Sequence, residues 1–338
     1  MANNDKPFFL TPNPGFTTIS AHDELLHPER NALVQDNSVT ETQYFGFSVP
    51  EAQIHALCYL WHHPRLKLVS GGLMVFQGIK PVAQFSELHD YRNFMSDAPL
   101  NGDLHEYRLE HGYGVKIIEP LKRLHLSYDN PAQHNAVNLQ FEGLLPPVMF
   151  ADGNHFEQAM HVTGELLLRG QRYEVDCYNV RDRSWGKPRP ERHMPLPPMS
   201  WMTAVFSPDF AVSCCMMDQA SQNPELQGTP FAIPDDQTLS GAWLHRDGKL
   251  GRVVRAQKRV QRAPTTFLPM EVEFSVVDEF DRQVSVRGTL IAANGSCPVW
   301  PNAYQHHPLM RWECEGLVTY GDCQEAFWSD YIQHTQRR

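Results

Sequence analysis

The chain has 338 residues, of which 41% are hydrophobic and 20% charged, and its formal net charge at pH 7 is −10. This composition excludes a disordered chain, and the length suits roughly two domains of about 150 residues each. The acidic balance argues against a nucleic-acid partner, because phosphate binding needs clustered Lys and Arg, and the most basic stretch, 252–262, is interpreted as the solvated face of a strand.

The first half of the chain predicts short strands after an irregular N-terminal arm. The 26 prolines exceed the usual share, and proline is excluded from helix interiors and central strands. A weakly helical stretch at 23–33 precedes strands at 42–49, 54–61 and 66–77, the last with a bulge at Gly71-Gly72. Segments 107–110 and 114–119 flank His111-Gly112 as a hairpin.

The second half shows clearer hairpins. Segments 162–168 and 172–180 face each other across Arg169-Gly170-Gln171, and 241–245 and 249–254 do the same around 246–248. Segment 270–277 alternates apolar and polar residues and returns at 284–291. Apart from a possible helix at 324–333, the pattern predicts an all-β protein whose antiparallel sheets close into barrels or pack as sandwiches.

Several protein classes are disfavoured by motifs that the sequence lacks. It has no phosphate-cradling glycine loop, dinucleotide fingerprint or zinc-hydrolase motif, and its 17 histidines lack metal-ligand spacing, so neither a cofactor nor a metal is predicted. No run of about 18 apolar residues occurs, so no transmembrane segment is expected. The N-terminus lacks an apolar signal core, and the seven cysteines are scattered, which predicts a cytoplasmic protein with reduced thiols.

The segment 181–189 carries the most chemistry in the sequence. It follows a predicted strand and combines Asp182 with several basic residues and Trp185. At the mouth of a barrel, Asp182 would be held by Arg181 or Arg183 while Trp185 lines an apolar cavity. The alternative is purely structural, namely an Arg–Asp ion pair beside a core tryptophan.

The same segment resembles the AttH and carotenoid-hydratase-like superfamily. The resemblance rests on 156–158, 162–166, Gly170, Tyr173 and the Arg-Asp-Arg-Ser-Trp-Gly signature at 181–186, with further matches at 41–47, 119–129 and 316–321. It implies two consecutive lipocalin-like antiparallel β-barrels, which we place at 1–180 and 181–338. It also implies chemistry on polyene or terpenoid compounds without an organic cofactor, as in hydratases, tocopherol-cyclase-like proteins and pericyclases.

One position departs from the family signature. The family histidine is Arg183 here, and an arginine cannot be deprotonated in a protein to relay a proton. Either the activity is missing or another acid serves. Arg183 and Gln158, which lies beside Glu157, remain candidates for catalysis and substrate binding, respectively.

A cofactor-free mechanism needs a carboxylic acid kept protonated by apolar surroundings and aromatic faces that stabilise a cation. The candidate acids are Asp182, Glu157 and Asp218. The candidate aromatic walls are Trp185, Trp201, Trp243, Tyr44 and Phe45. Each has a structural alternative: Glu157 would bond across a barrel rung, Asp218 would cap a turn, and the tryptophans would belong to the core.

These observations lead to one functional hypothesis and two rivals. The first is a hydratase/dehydratase or isomerase acting by acid catalysis on a hydrophobic terpenoid-like small molecule. The rivals are a non-catalytic carrier of a hydrophobic ligand and a pericyclase or cyclase that uses only pocket shape. Exposed strand edges would also allow two copies to pair as a homodimer.

Overall fold

The computed structural model describes residues 15–189, 194–297 and 302–337, and these residues form two compact units. The N-terminal unit covers residues 16–190, and the C-terminal unit begins at residue 191. Nearly all regular structure is antiparallel β, which confirms the all-β prediction. Among the described residues, none of the helices has the length and apolar character needed to cross a membrane.

The N-terminal unit is a strongly curved sheet. Within the described residues its hydrogen-bonded path runs β5-β4-β3-β2-β12-β11-β9-β8-β7-β6, and β10 pairs with both β11 and β1. The elements are β1 (Phe16–Thr17), α1 (Pro28–Leu33), β2 (Val39–Val49), β3 (Ile54–His63), β4 (Leu68–Gln77), β5 (Leu88–Ser96), β6 (Glu106–Arg108), β7 (Gly114–Glu119), β8 (Arg123–Asn130), β9 (Asn135–Gly143), β10 (Val148–Phe150), β11 (His155–Leu168) and β12 (Gln171–Pro188).

The two ends of this path meet through side chains. The hydroxyl of Tyr128 on β8 donates a 2.8 Å hydrogen bond to Asp90 on β5. Gly71 on β4 approaches Leu109 so closely that a Cβ there would lie 3.3 Å from the leucine side chain. The curved sheet thus encloses one apolar core, to which β2, β3, β7, β9 and β11 all contribute.

The C-terminal unit is a closed eight-stranded barrel in which each strand pairs with the next and β20 returns to β13. Its elements are β13 (Met199–Ser207), β14 (Phe210–Met217), β15 (Leu239–Arg246), β16 (Lys249–Arg262), β17 (Pro269–Asp278), β18 (Gln283–Cys297), β19 (Ala303–Cys314), β20 (Leu317–Trp328) and α2 (Ser329–Gln336). Closure leaves no sheet edge to pair elsewhere.

Side chains pack the middle of this barrel tightly. The Trp312 ring lies directly over Gly288, where an added Cβ would clash with it. Phe274 meets the same ring edge-on at 5.6 Å between centroids. The adjacent cysteines separate as strand alternation requires, because Cys214 joins this core and Cys215 joins a cluster on the other face.

Two sequence-based boundaries differ from the structure. The domain boundary predicted at 180/181 falls inside β12, which continues to Pro188 and pairs with β2 as far as Val39. The units divide at residue 190 because that strand belongs wholly to the first sheet. The helix predicted at 324–333 begins at Ser329, because 324–328 complete β20 and close the barrel.

Candidate active site

The signature strand β12 presents two chemically different faces. Along an extended strand, successive side chains point to opposite sides. Arg181 and Arg183 therefore face the apolar core of the N-terminal unit, here called the inner face, whereas Asp182 and Ser184 lie on the opposite, outer face. The prediction that Asp182 is held by Arg181 or Arg183 is not met, because alternation separates them.

On the inner face, Arg181 forms a buried ion pair with Glu24. Its Nη1 lies 3.0 Å from Glu24 Oε2, and its Nε donates to Gln158 Oε1 at 3.1 Å. Burial alone would raise the pKa of Glu24, but the charge and hydrogen bonds of Arg181 lower it. Gln158 is thus a structural bridge within the core, where it also donates to the Leu121 carbonyl at 2.7 Å.

Arg183, two residues further along β12, forms a second buried ion pair, with Glu41. It bonds to Glu41 at 2.8 Å and to the Leu25 carbonyl. Burial would raise the pKa of Glu41, but the hydrogen bonds of His27 and the charge of Arg183 lower it to about 2. His27 stacks on Trp185 at 3.9 Å with an interplanar angle of 3°.

These inner-face contacts fasten the segment from Glu24 to Asn31 onto the sheet. Asn31 donates to Glu41 and accepts from the Gly186 amide at 3.2 Å, so the signature is bonded to this segment at several points. Trp185 is 1% exposed and packs with Phe156, while Phe45 packs edge-on against Phe141 in the core. In this geometry Arg183, Trp185 and Phe45 are buried in the core, which for Trp185 matches the structural alternative of the sequence analysis.

The outer face carries a row of four polar side chains across four neighbouring strands. The cross-strand partners are Tyr59 on β3, Tyr44 on β2, Asp182 on β12 and Glu157 on β11. Directly opposite residues share a face and have adjacent Cβ atoms. Three of the predicted site residues, Asp182, Glu157 and Tyr44, are therefore side by side.

A second row of polar residues runs beside the first. Thr42 and Ser184 are 2.7 Å apart through their hydroxyl oxygens, and Arg189 Nη2 donates to Ser184 Oγ at 3.1 Å. His155, the cross-strand partner of Ser184, stacks on the Phe150 ring at 5.2 Å, and its Nε2 lies 3.6 Å from Glu157 Oε1.

Asp182 is electrostatically unlike the other carboxylates of the unit. Burial raises its pKa to about 6, with a further increase from Glu157, against the opposing charges of His155, Arg189 and Lys187. Within the described residues its carboxyl forms no hydrogen bond or ion pair. A part-buried carboxyl of this kind is protonated at mildly acidic pH, and no ion-pair partner within the described residues stabilises its ionised form.

The C-terminal unit holds the third predicted acid in a different state. Asp218 Oδ1 lies 2.8 Å from Lys258 Nζ, and its Oδ2 lies 2.6 Å from Arg262 Nη1. Burial would raise the pKa of Asp218, but the two cations hold it well below its usual value. An ionised carboxylate is no proton donor at neutral pH, so this geometry argues against an acid role.

The same ionic cluster corrects the interpretation of the basic stretch 252–262 as one solvated face. Lys258 is buried with Nζ bonded to Ser200 Oγ at 2.6 Å, and Arg262 also pairs with Glu325 at 2.7 Å. Arg259 does lie on the exposed surface, where it starts a cross-strand ladder of alternating charge that continues through Glu273, Arg287 and Glu313.

The two predicted aromatic walls of this unit, Trp201 and Trp243, lie on the outside of the barrel. Trp201 packs with the cluster that contains Cys215 and Met217. Trp243 is 1% exposed and pairs across the strands with Ser213. Neither belongs to the core in the middle of the barrel.

Sequence reasoning missed Tyr59, His155 and Arg189. His155 and Ser184 become partners through the β11–β12 hairpin, whose register is fixed by a two-residue turn with Leu168 opposite Gln171. The sequence predicts a three-residue turn, Arg169-Gly170-Gln171. That turn would pair Leu168 with Arg172 and therefore Glu157 with Arg183, one residue away from the observed register. Among the described residues, no group of three or more His, Cys, Asp or Glu is arranged to hold a metal ion.

Comparisons with known proteins agree with the fold. A family model described as a domain of unknown function (DUF7064) matches residues 20–330. Kievitone hydratase from Nectria haematococca superposes with a TM-score of 0.53 at 11% identity, covering 94% of this chain and 97% of its own. CghA with Sch210972 gives 0.60 at 13%, covering 95% and 96%.

An AttH-type protein from Nitrosomonas europaea gives a TM-score of 0.53 at 11% identity and covers 95% of this chain and 99% of its own. No curated protein matches the sequence. These superpositions show that the chain shares its fold with these proteins, which agrees with the prediction of two lipocalin-like units.

Proposed function

The chain belongs to the DUF7064 family, and we propose that it is a cofactor-independent enzyme that adds water to, or removes it from, a hydrophobic small molecule. Asp182 is the proposed general acid. The observation that carries the proposal is its carboxyl, which has a raised pKa and no hydrogen bond or ion pair within the described residues. A carboxyl that served only the fold would be expected to have such partners.

The row on the outer face supports this role. Asp182 lies between Tyr44 and Glu157, with the part-buried Tyr59 one strand further on. In hydration, a protonated Asp182 transfers its proton to one alkene carbon, water attacks the cation formed at the other carbon, and the proton lost by that water restores the acid. In dehydration, Asp182 protonates the hydroxyl group, water leaves, and the proton lost from the neighbouring carbon forms the alkene and restores the acid. Glu157 is the cross-strand partner of Asp182, and its Oε1 lies 3.6 Å from His155 Nε2. In this proposal the two groups pass a proton back to Asp182 after each reaction.

The substrate class follows from the fold relatives as part of the same proposal. One of them is named for the hydration of kievitone, and the resemblance implies polyene or terpenoid substrates. We therefore propose an alkenyl compound or the corresponding tertiary alcohol. A non-catalytic carrier of a hydrophobic ligand does not need a carboxylic acid that is protonated at mildly acidic pH.

Mass spectrometry of the products tests the proposal. The purified protein is incubated in D2O with kievitone and with acyclic terpenoid alkenes and alcohols. Wild-type protein is expected to change the mass by one water and to place deuterium on carbon during hydration. Asp182→Asn should lower turnover by about 10²- to 10⁴-fold, the usual contribution of a general acid. Asp247→Asn, whose side chain is 85% exposed in the other unit, is the matched control.

The pH profile provides a second measurement. Only the protonated form donates, so the turnover rate should fall as pH rises through about 6. Binding without any product would favour the carrier. Product without deuterium on carbon would favour a pericyclic path. Turnover that stays within a few-fold of wild type in Asp182→Asn would refute the acid mechanism.

A further inference from the structure

The groups beside Asp182 form a connected set of hydrogen-bond donors. Arg189 donates to Ser184 at 3.1 Å, Ser184 bonds to Thr42 at 2.7 Å, and the Tyr59 hydroxyl lies within hydrogen-bonding reach of both Arg189 and Thr42. Tyr59, Thr42 and Ser184 lie on the same side as Asp182 of three adjacent strands, β3, β2 and β12, and Arg189 directly follows the end of β12 at Pro188. None of these donors is needed to bond Asp182, which has no such partner within the described residues.

Arg189 is held in place by one backbone contact and two guanidinium contacts. Its backbone amide bonds to the Ser38 carbonyl at 3.1 Å, its side chain bonds to Ser184, and it lies 6.0 Å from the centroid of the Trp61 ring. Arg189, Trp61 and Tyr59 are all part-exposed. A planar guanidinium fixed in this way is suited to bind an oxygen anion in a defined orientation.

The charges around Asp182 discriminate between two kinds of reaction. Lys187 and Arg189 both act electrostatically on Asp182, and Lys187 is itself paired with Asp152, whose Oδ2 lies 3.0 Å from its Nζ. The guanidinium charge of Arg189 raises the energy of an isolated carbocation formed nearby, whereas it lowers the energy of an oxygen that carries or develops negative charge. The arrangement therefore favours a substrate with an acidic oxygen near the reacting carbon over a plain hydrocarbon.

We infer that Arg189, with Tyr59 and Ser184, forms a subsite for an ionised or acidic oxygen of the substrate, such as a carboxylate, a phenol or an enol. This inference rests on the proposed function and narrows its substrate to an amphipathic alkenyl compound with an acidic oxygen. The apolar part of the substrate then extends from the subsite past Asp182 and Tyr44 along the row.

Calorimetric titration with two matched probes tests this subsite without requiring turnover. Geranic acid is ionised at pH 7.5, whereas methyl geranate has the same chain and no charge. Wild-type protein should bind the acid about 10- to 100-fold more tightly than the ester, as a hydrogen bond to a charged group supports. Arg189→Gln should abolish that preference without weakening ester binding, and Arg189→Lys should keep a preference of several-fold. Arg123→Gln removes an exposed charge elsewhere in the unit and should change nothing.

Equal binding of acid and ester by wild type, a preference that survives Arg189→Gln, or no binding of either probe would each overturn the subsite. The two proposals fail separately. If Asp182→Asn abolishes turnover while acid and ester bind alike, the acid mechanism stands and the subsite is wrong. If the preference depends on Arg189 but Asp182→Asn keeps full turnover, the subsite stands and the acid mechanism is wrong.

Discussion

Replacing Asp182 with Asn should stabilise the folded protein at neutral pH. Burial raises the pKa of this carboxyl to about 6, so folding favours its protonated form. With a pKa of about 3.9 in the unfolded chain, ionised Asp182 costs about 1 to 3 kcal/mol at pH 7, where the lower value allows for its partial exposure. Asparagine carries no charge and avoids this cost.

The sign of the pH dependence distinguishes this explanation from others. The cost is fully present above pH about 6 and decreases as pH falls, because the folded state then binds the proton before the unfolded state does. The gain in Asp182→Asn should therefore shrink at pH 4.5 to about a third of its value at pH 7.

Urea unfolding of both proteins at the two pH values, followed by tryptophan fluorescence, measures this difference. The exposed control Asp247→Asn should stay within about 0.5 kcal/mol of wild type at both. A mutant that is less stable than wild type at pH 7, or a gain that does not change with pH, would contradict a buried, ionised Asp182 as the source of the cost. A stabilised but inactive Asp182→Asn would show that the protein gives up stability at this site for function.

Three further substitutions test the structural assignments. Arg183→Met should destabilise the fold by about 3–5 kcal/mol in urea unfolding, because it leaves Glu41 buried without its cation. Asp218→Asn should reduce stability above pH about 4, because the low folded pKa of Asp218 confers stability that is lost as pH falls through it. The stability of the mutant should therefore depend less on pH in an acid titration, which near-UV circular dichroism measures. Gly288→Ala should cost about 1–3 kcal/mol or more, because its Cβ would meet the Trp312 ring.

Each of these has a control. Adding Glu41→Gln to Arg183→Met should recover part of the lost stability, and no recovery would contradict the ion-pair explanation. Asp218→Asn and wild type should converge in stability at low pH, and a constant difference would contradict the linkage. Ser285→Ala, exposed on the same strand as Gly288, should be nearly neutral, and an equal loss there would show that Gly288 is not special.

The signature segment shows how far sequence reasoning reaches. The sequence singles out this segment because a strand that combines arginines, an acid and a tryptophan is unusual. It predicts that Asp182 is held by one of the arginines while Trp185 lines a cavity. In the structure, alternation sends Arg183 and Trp185 into the core, where they fasten the segment from Glu24 to Asn31, and sends Asp182 to the other face.

A one-residue register error accounts for part of the difference. The sequence predicts the β11–β12 hairpin correctly but takes Arg169-Gly170-Gln171 as its turn. The actual turn has two residues, with positive φ at both Arg169 and Gly170. A slip of one residue exchanges the faces of a strand, so it decides whether Glu157 lies opposite Asp182 or opposite Arg183.

The features that depend on local patterns can be predicted from the sequence: the all-β class, most hairpins and the family resemblance. Alternation and turn residues act over a few positions, so they can be read from the chain. Only the tertiary structure decided which charged groups are paired. Asp182 and Asp218 look alike in sequence, yet one has no ion pair within the described residues and the other is held by Lys258 and Arg262. The charge on a carboxyl depends on burial and on partners far away in sequence, and these arise only when distant strands meet.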